Sequence, residues 1–316
     1  MGDHAAQLRR IAEAVLRPGA RDVSGFGAAV PGQFGRLVRD LDRRARRGER
    51  IGFVTGAYMA WAQPPAAETD GPVGVAVLAR ALADLGAEPV VLTDEPCEDV
   101  TRAGLAAVGL TGTLSVVPVT ATEAQVAARV RVLRLGRVVA VERLGPGADG
   151  RVWTMRGVDI TEMTAPLHAA FAVPGVPTAA IGDGGNEIGM GNVPVDLIAA
   201  AVDLADVIAC RVPVDDLVPA GASNWGCYAV LAGLATVAVA VDGPGRLLRL
   251  LDPAVDEAVL AACVAAGGID GVRGYGARSV DGVPTADYRD LLLMLAELAS
   301  DGPARHGEPA GRVPLT

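Results

Sequence analysis

Five glycines crowd a ten-residue stretch, Gly182-Asp183-Gly184-Gly185-Asn186-Glu187-Ile188-Gly189-Met190-Gly191. Glycine lets backbone approach a ligand closely and permits positive φ. Asp183, Asn186 and Glu187 are oxygen donors spaced i, i+3 and i+4, which a helical turn would set on one face. Such a set suits Mg²⁺ or Mn²⁺, or the ammonium group of a substrate. It suits a phosphate less well. Glu187 stands where a G-x-G-x-x-G fingerprint needs its third glycine, and the stretch holds no basic residue. A tight strand-to-helix turn capped by Asp183 is the plainer alternative.

Other segments carry compatible groups. Ala67-Glu68-Thr69-Asp70-Gly71-Pro72 places two acids before a proline suited to a helix start, so Asp70 reads as a cap or a ligand. Val141-Glu142-Arg143 ends an apolar run, and a Gly/Pro-rich loop leads on to Met155-Arg156-Gly157. Arg143 and Arg156 can each fork onto a substrate carboxylate, unless Arg156 merely pairs with Asp159 or Glu142. In Ala222-Ser223-Asn224-Trp225-Gly226, Ser223 reads as an N-cap and Asn224 as a residue able to face a ligand. The segment is not G-x-S-x-G, which argues against a serine triad. The stretch from Gly267 to Gly274, with Asp270 and Arg273, reads equally as a turn or a lid. The sequence has three histidines, and His4 and His306 lie near its ends. His168 alone cannot make a three-histidine zinc site or an H-E-x-x-H helix, and it reads as a surface or packing residue. Any metal would be a hard ion held by oxygen.

The elements that must gather these loops are legible as alternating short apolar runs and amphipathic stretches. Strands are expected at 51–55, 89–93, 114–117, 138–141, 177–181 and 207–210. Helices are expected at 73–85, 97–108, 123–135, 187–201, 228–241, 255–266 and 286–298. This alternation predicts an α/β fold, a doubly wound and mostly parallel sheet with helices on both faces. Ligands would then bind beyond the strand C-termini. Residues 1–50 read as an N-terminal helical segment, 51–300 as a single α/β domain and 301–316 as a loose tail. Arg36, Arg39, Arg43 and Arg47 recur at helical spacing and read as a solvated face, with an anion-binding patch as the alternative. The apolar helix near 228–241 is either central core or an oligomer face, so a homo-oligomer is an open expectation.

Composition narrows the chemistry. Of 316 residues 51% are hydrophobic, enough to bury a full core. The net charge of −9 argues against nucleic acid and against a membrane surface as partners. Aromatics make up 3%, too few for a base-stacking surface. The chain contains no lysine. That excludes a P-loop lysine and a Schiff-base lysine, so neither a nucleotide nor pyridoxal phosphate is expected. Four cysteines without a C-x-x-C spacing read as reduced core thiols, and a cytoplasmic location is expected. The longest uncharged apolar run, 226–241, is short of the roughly 20 residues that span a bilayer.

Taken together, TGAYMAWAQPPAAETDGPVG (55–74), VERLGPGADGRVWTMRGVDI (141–160), AIGDGGNEIGMGNV (180–193), AGASNWGCYAVLAGL (220–234) and GGIDGVRG…SVDG (267–282) resemble, in order, the glutamate cyclase-like domain family. The resemblance runs from about residue 50 to residue 298. It implies conversion of D-glutamate to 5-oxo-D-proline and water. The sequence departs from the family pattern at Ala57, where Phe is common, and at Pro146, where a second arginine is usual; a counterpart of the extra N-terminal domain of the animal enzymes is not expected.

Cyclisation needs a neutral amine held near the γ-carboxyl carbon, and an oxygen that leaves as water. The acids are expected to divide this work. Asp70, Asp183 and Glu187 would hold a divalent cation, Mn²⁺ or Mg²⁺, inferred from the acidic cluster itself. Glu68, Glu142 and Asp183 would be catalytic, moving protons. Thr55, Gly71, Arg143, Arg156, Gly184, Gly185, Asn186 and Asn224 would contact an amino-acid substrate. Two other readings use the same cluster: a metal-dependent hydrolase such as a phosphatase, and a small-molecule binding protein without turnover.

Overall fold

The computed structural model describes residues 2–238 and 243–301. Its main sheet has six parallel strands: β1 (Arg50–Thr55), β4 (Glu88–Asp94), β5 (Leu114–Val117), β6 (Arg137–Val141), β7 (Thr178–Gly182) and β8 (Asp216–Pro219). Two short antiparallel pairs complete the strands, β2 (Tyr58–Met59) with β3 (Ala66–Ala67) and β9 (Ser279–Val280) with β10 (Val283–Pro284). The main order is β5-β4-β1-β6-β7-β8. The chain winds outward from β1 through β4 to β5, then returns to β6 and winds the other way. This is the doubly wound fold, and its direction reverses between β1 and β6. The loops leaving those two strands part there and open a crevice.

Side-chain alternation builds a layer on each face. On one side Ile51, Phe53, Val139, Val141 and Ile181 join the core of α1 (Gly2–Ala14), α3 (Gln33–Ala45), α4 (Pro72–Asp84), α9 (Ser223–Val237), α11 (Pro253–Ala265) and α12 (Thr285–Ser300). On the other, Val54, Leu92 and Val138 meet α6 (Glu123–Leu133), while Ala140, Ala180 and Leu217 meet α2 (Phe26–Ala29), α7 (Val195–Ala201) and α8 (Ala205–Ile208). The remaining helices are α5 (Glu98–Ala107) and α10 (Gly243–Arg249).

Helix α9 is the centre of the first layer. It is apolar all round because α1, α3, α4, α10 and α12 enclose it. It is therefore core and not an oligomer face; the last part of the expected 228–241 helix lies outside the described residues. The N-terminal segment joins this core through Leu8, Ile11, Leu37 and Leu41. Its arginines are paired on the protein: Arg44 with Asp40 and Glu49, Arg46 with Asp42, and Arg36 with Asp216. Arg39, by contrast, borders an apolar groove between α1 and α3.

Two expected elements are corrected. Residues 207–210 are not a strand; α8 ends at Ile208, and the sixth strand is β8. β8 opens on Asp216, whose buried carboxylate Arg137 neutralises at 2.7 Å. A helix does not run through 187–201, because Gly189 has φ +102° and Gly191 presses on the backbone of residues 211–213. The helix starts only after Pro194, as α7. Among the described residues, no helix is long and apolar enough to cross a membrane.

Candidate active site

Five strand-end or loop carboxylates converge at the crevice: Glu68, Asp70, Glu142, Asp183 and Asp281, each no more than 6% exposed. Asp70 is fixed by the helix that follows β8. Its two oxygens accept the N–H groups of Ser223 at 2.9 Å and Asn224 at 2.8 Å, the first residues of α9, and of Gly71 at 3.0 Å. Asn224 answers from α9, its Oδ1 accepting the Gly71 and Gly74 N–H groups at 2.9 and 2.7 Å. Gly71 sits between them at φ +87°, and a Cβ there would lie 2.6 Å from Thr55 Oγ1 and 2.8 Å from the Glu142 Cβ.

Glu142 follows β6 in a left-handed conformation, φ +43°, which is costly for a residue with a Cβ. The Ser223 hydroxyl donates to its Oε2 at 2.6 Å. The next residue points away. Arg143 is 1% exposed and its two terminal nitrogens donate to Gly56 O, Ala165 O and the Asp94 carboxylate, the last at 2.6 Å. The expected role of Arg143 on a substrate carboxylate is thus corrected; it ties three loops together behind the site. Ser223, expected as a side-chain cap, is corrected too, since its hydroxyl serves Glu142.

The glycine-rich loop after β7 turns on Glu187. Its carboxylate folds back to accept the N–H groups of Gly184 and Gly185 at 2.8 Å and of Asp183 at 3.4 Å. Asp183, Asn186 and Glu187 therefore do not share a helical face, and Glu187 stays apart from the tightest carboxylate group. That group is Asp70, Glu142 and Asp183, each offering an oxygen within 4.8 Å of the others. Asn186 donates to Trp153 O at 2.8 Å, and its Oδ1 is buried without a partner among the described residues. Gly184 and Gly185 act through their N–H groups on Glu187. Thr55 Oγ1 likewise is buried and unpartnered among the described residues.

Two residues that the sequence did not single out complete the cluster. Arg21, between α1 and α2, donates Nη1 to Asp183 at 3.0 Å and to Asp281 at 3.2 Å. Asp281, in the β9–β10 turn, also has a left-handed backbone, φ +49°. The loop before it is ordered by Asp270, which accepts N–H groups from Val272, Arg273 and Gly282 and the Ser279 hydroxyl. SVDG carried a signal for Asp281. Nothing local marked Arg21.

Three of the five carboxylates, Glu68, Glu142 and Asp281, line a cavity of about 170 Å³ together with Arg21, Asn186 and Arg156, among others; Asp70 and Asp183 are not part of its lining. That is below the range of about 300–1,000 Å³ typical of drug-sized ligands, so the site fits a small metabolite. At its mouth the Arg156 guanidinium lies 3.8 Å over the Trp61 ring and donates to Val272 O at 3.0 Å. Asp159 pairs instead with Arg151. His168, as expected, is a surface residue beside Glu123.

Burial governs the electrostatics. Burial first, then Asp70 and Asp281, pushes Glu68 well above the carboxylate range. Burial, then Glu187 and Glu68, does the same to Glu142, and burial with Glu142 and Asp281 does it to Asp183. Asp70 rises to about 6 through burial and Asp281, against the helix N–H groups. For Arg21, burial works against the charge, but Asp281 and Asp183 outweigh it and hold the guanidinium protonated. Such a cluster is stable only with protons or cations among its members. The three close oxygens also fit a hard divalent ion. Metal–oxygen distances of about 2.0–2.1 Å put ligand oxygens roughly 3 to 4 Å apart in an octahedron.

A family model described as D-glutamate cyclase-like, C-terminal, matches residues 15–296. The human protein named D-glutamate cyclase, mitochondrial, is 32% identical over 197 residues, 58% of this chain and 32% of its own length. The chain thus spans about a third of that relative, and the family match over residues 15–296 holds the segments that build the cavity. The protein belongs to the D-glutamate cyclase-like C-terminal family.

Proposed function

We propose that the protein is a lyase that cyclises D-glutamate to 5-oxo-D-proline and water. The observation that carries this reading is the convergence of two buried acids with raised pKa, Glu68 and Glu142, on a small cavity with Arg156 at its mouth. The human relative's name supplies the substrate.

Arg156, pre-aligned by Trp61, takes the α-carboxylate in a forked contact. The ammonium group lies against Asn186 Oδ1, which has no donor among the described residues, and against the acids. Glu142 or Glu68 accepts a proton from it, while a protonated neighbour such as Asp183 gives one to the departing oxygen. Holding the chain folded lowers the barrier by removing a bimolecular encounter, an effect worth up to roughly 7–11 kcal/mol. When ionised, Asp70, Glu142 and Asp183 would instead hold a divalent cation, Mn²⁺ or Mg²⁺, and Glu68 would then be left to move protons. Bound there, the cation would supply Lewis-acid neutralisation of carboxylate charge.

The test is incubation with D-glutamate after chelation, then with Mn²⁺ or Mg²⁺ restored, following 5-oxoproline by chromatography. Lactam formation supports the reading. Metal-dependent phosphate release from a phosphate-ester panel, with no lactam, would replace it with a phosphohydrolase.

A further inference from the structure

We infer that Arg21 is a catalytic residue that engages the reacting carboxylate of the substrate and cancels its charge, an inference that rests on the cyclisation reading above. The cavity lining includes two arginines, Arg21 and Arg156, set in different surroundings. Arg156 stands at the mouth, fixed by Trp61 and Val272 O. Arg21 stands among the carboxylates, with one nitrogen shared between Asp183 and Asp281 and a side chain 17% exposed. Its Nε and Nη2 donate to no side chain or backbone carbonyl among the described residues, and Arg21 lines the cavity. A substrate with two carboxylates, one held by Arg156, brings the other to Arg21.

That second carboxylate is the one that must react. Its negative charge repels an incoming amine lone pair, and a guanidinium fork removes that repulsion while holding both oxygens. In the step, nitrogen bonds to the γ-carboxyl carbon and one carbon–oxygen bond breaks. Two protons from the ammonium group end on the departing oxygen, which leaves as water. The third stays on the lactam nitrogen. No other reactant is needed. Asp281 is a positioning residue here, its left-handed backbone turning its carboxylate onto Arg21.

The γ-methyl ester of D-glutamate separates this role from simple support of the fold. Its reacting carbonyl is already neutral, and it closes to the same lactam with loss of methanol and one proton to solvent. Arg21→Gln is expected to lower kcat/KM on D-glutamate by roughly 10²–10³-fold, as for loss of other charge-stabilising donors. Its ester cyclisation, corrected for the uncatalysed rate, is expected to stay near that of the unsubstituted protein. Equal loss on both compounds overturns the inference. Should Arg21→Gln fail to fold by circular dichroism, Arg21→Lys carries the same comparison, with a smaller loss confined to D-glutamate. No turnover of either compound by the unsubstituted protein would instead remove the cyclisation reading, and this inference with it.

Discussion

Asp70 and Asn224 cap each other's helices. The Asp70 carboxylate takes the first N–H groups of α9, and the Asn224 carbonyl oxygen takes the Gly71 and Gly74 N–H groups at the start of α4. Both residues are buried, so no water replaces a lost partner. This reciprocal capping joins the loop after β1 to the loop after β8. It also fixes one wall of the acid cluster, because Asp70 belongs to both. Helix N-termini facing Asp70 partly offset the crowding of negative charge.

Asn224→Ala therefore acts on stability first. It leaves the buried Gly74 N–H unpaired, at about 1–3 kcal/mol, while the Gly71 N–H keeps its bond to Asp70. Urea unfolding should show a loss of about 1–3 kcal/mol, the scale of a lost helix cap with a buried donor left behind. A loss below about 0.5 kcal/mol, the scale of a neutral surface change, would show that the cross-capping is not holding the loops.

Arg143 and Arg156 should fail in different ways. Arg143→Gln strands the buried Asp94 carboxylate, and breaking a buried pair costs about 3–5 kcal/mol. Arg156→Ala removes an exposed guanidinium, so its effect should fall on KM for D-glutamate and leave the unfolding midpoint nearly unchanged. The reverse pattern, with Arg143 controlling KM, would restore the role first expected for it.

Asp256 offers a pH test away from the cluster. Buried beside the Tyr228 hydroxyl, which donates to it, its carboxyl rises to about 6 from an ordinary 3.8. The folded state then holds the proton more tightly than the unfolded chain. The associated stability is fully present below pH 3.8 and is lost as pH climbs through about 6. Asp70, also raised to about 6, adds to the same slope. With chelator present, the unfolding free energy should fall between about pH 4 and 6, by an amount on the order of a few kcal/mol. Asp256→Asn should flatten part of that slope; an unchanged slope would contradict the shift.

How far the sequence revealed this follows from what each residue depends on. The strands β1, β4, β5, β6 and β7 were legible because unbroken apolar runs between turn signals have few other uses. β8 was not, because its opening Asp216 is neutralised by Arg137 from a neighbouring strand, a contact invisible to local pattern. Glu68, Asp70, Glu142 and Asp183 were legible from acids at strand ends. Glu187 was read as a ligand from its spacing, but spacing cannot show a side chain folded back onto its own loop. Arg143 was read by type alone, and the left-handed turn at Glu142 sends the two neighbours to opposite sides. Arg21 enters from a segment with no recognisable motif, so only the assembled fold discloses it.

The most direct measurement is the fate of D-glutamate with the unsubstituted protein and with Asp183→Asn, followed by NMR and chiral chromatography. The unsubstituted chain should accumulate 5-oxo-D-proline, and the folded Asp183→Asn protein should lose roughly 10²–10⁴-fold in rate, the range for removing a proton-transfer group. Equal turnover by the two proteins would contradict the assignment of chemistry to this acidic cluster.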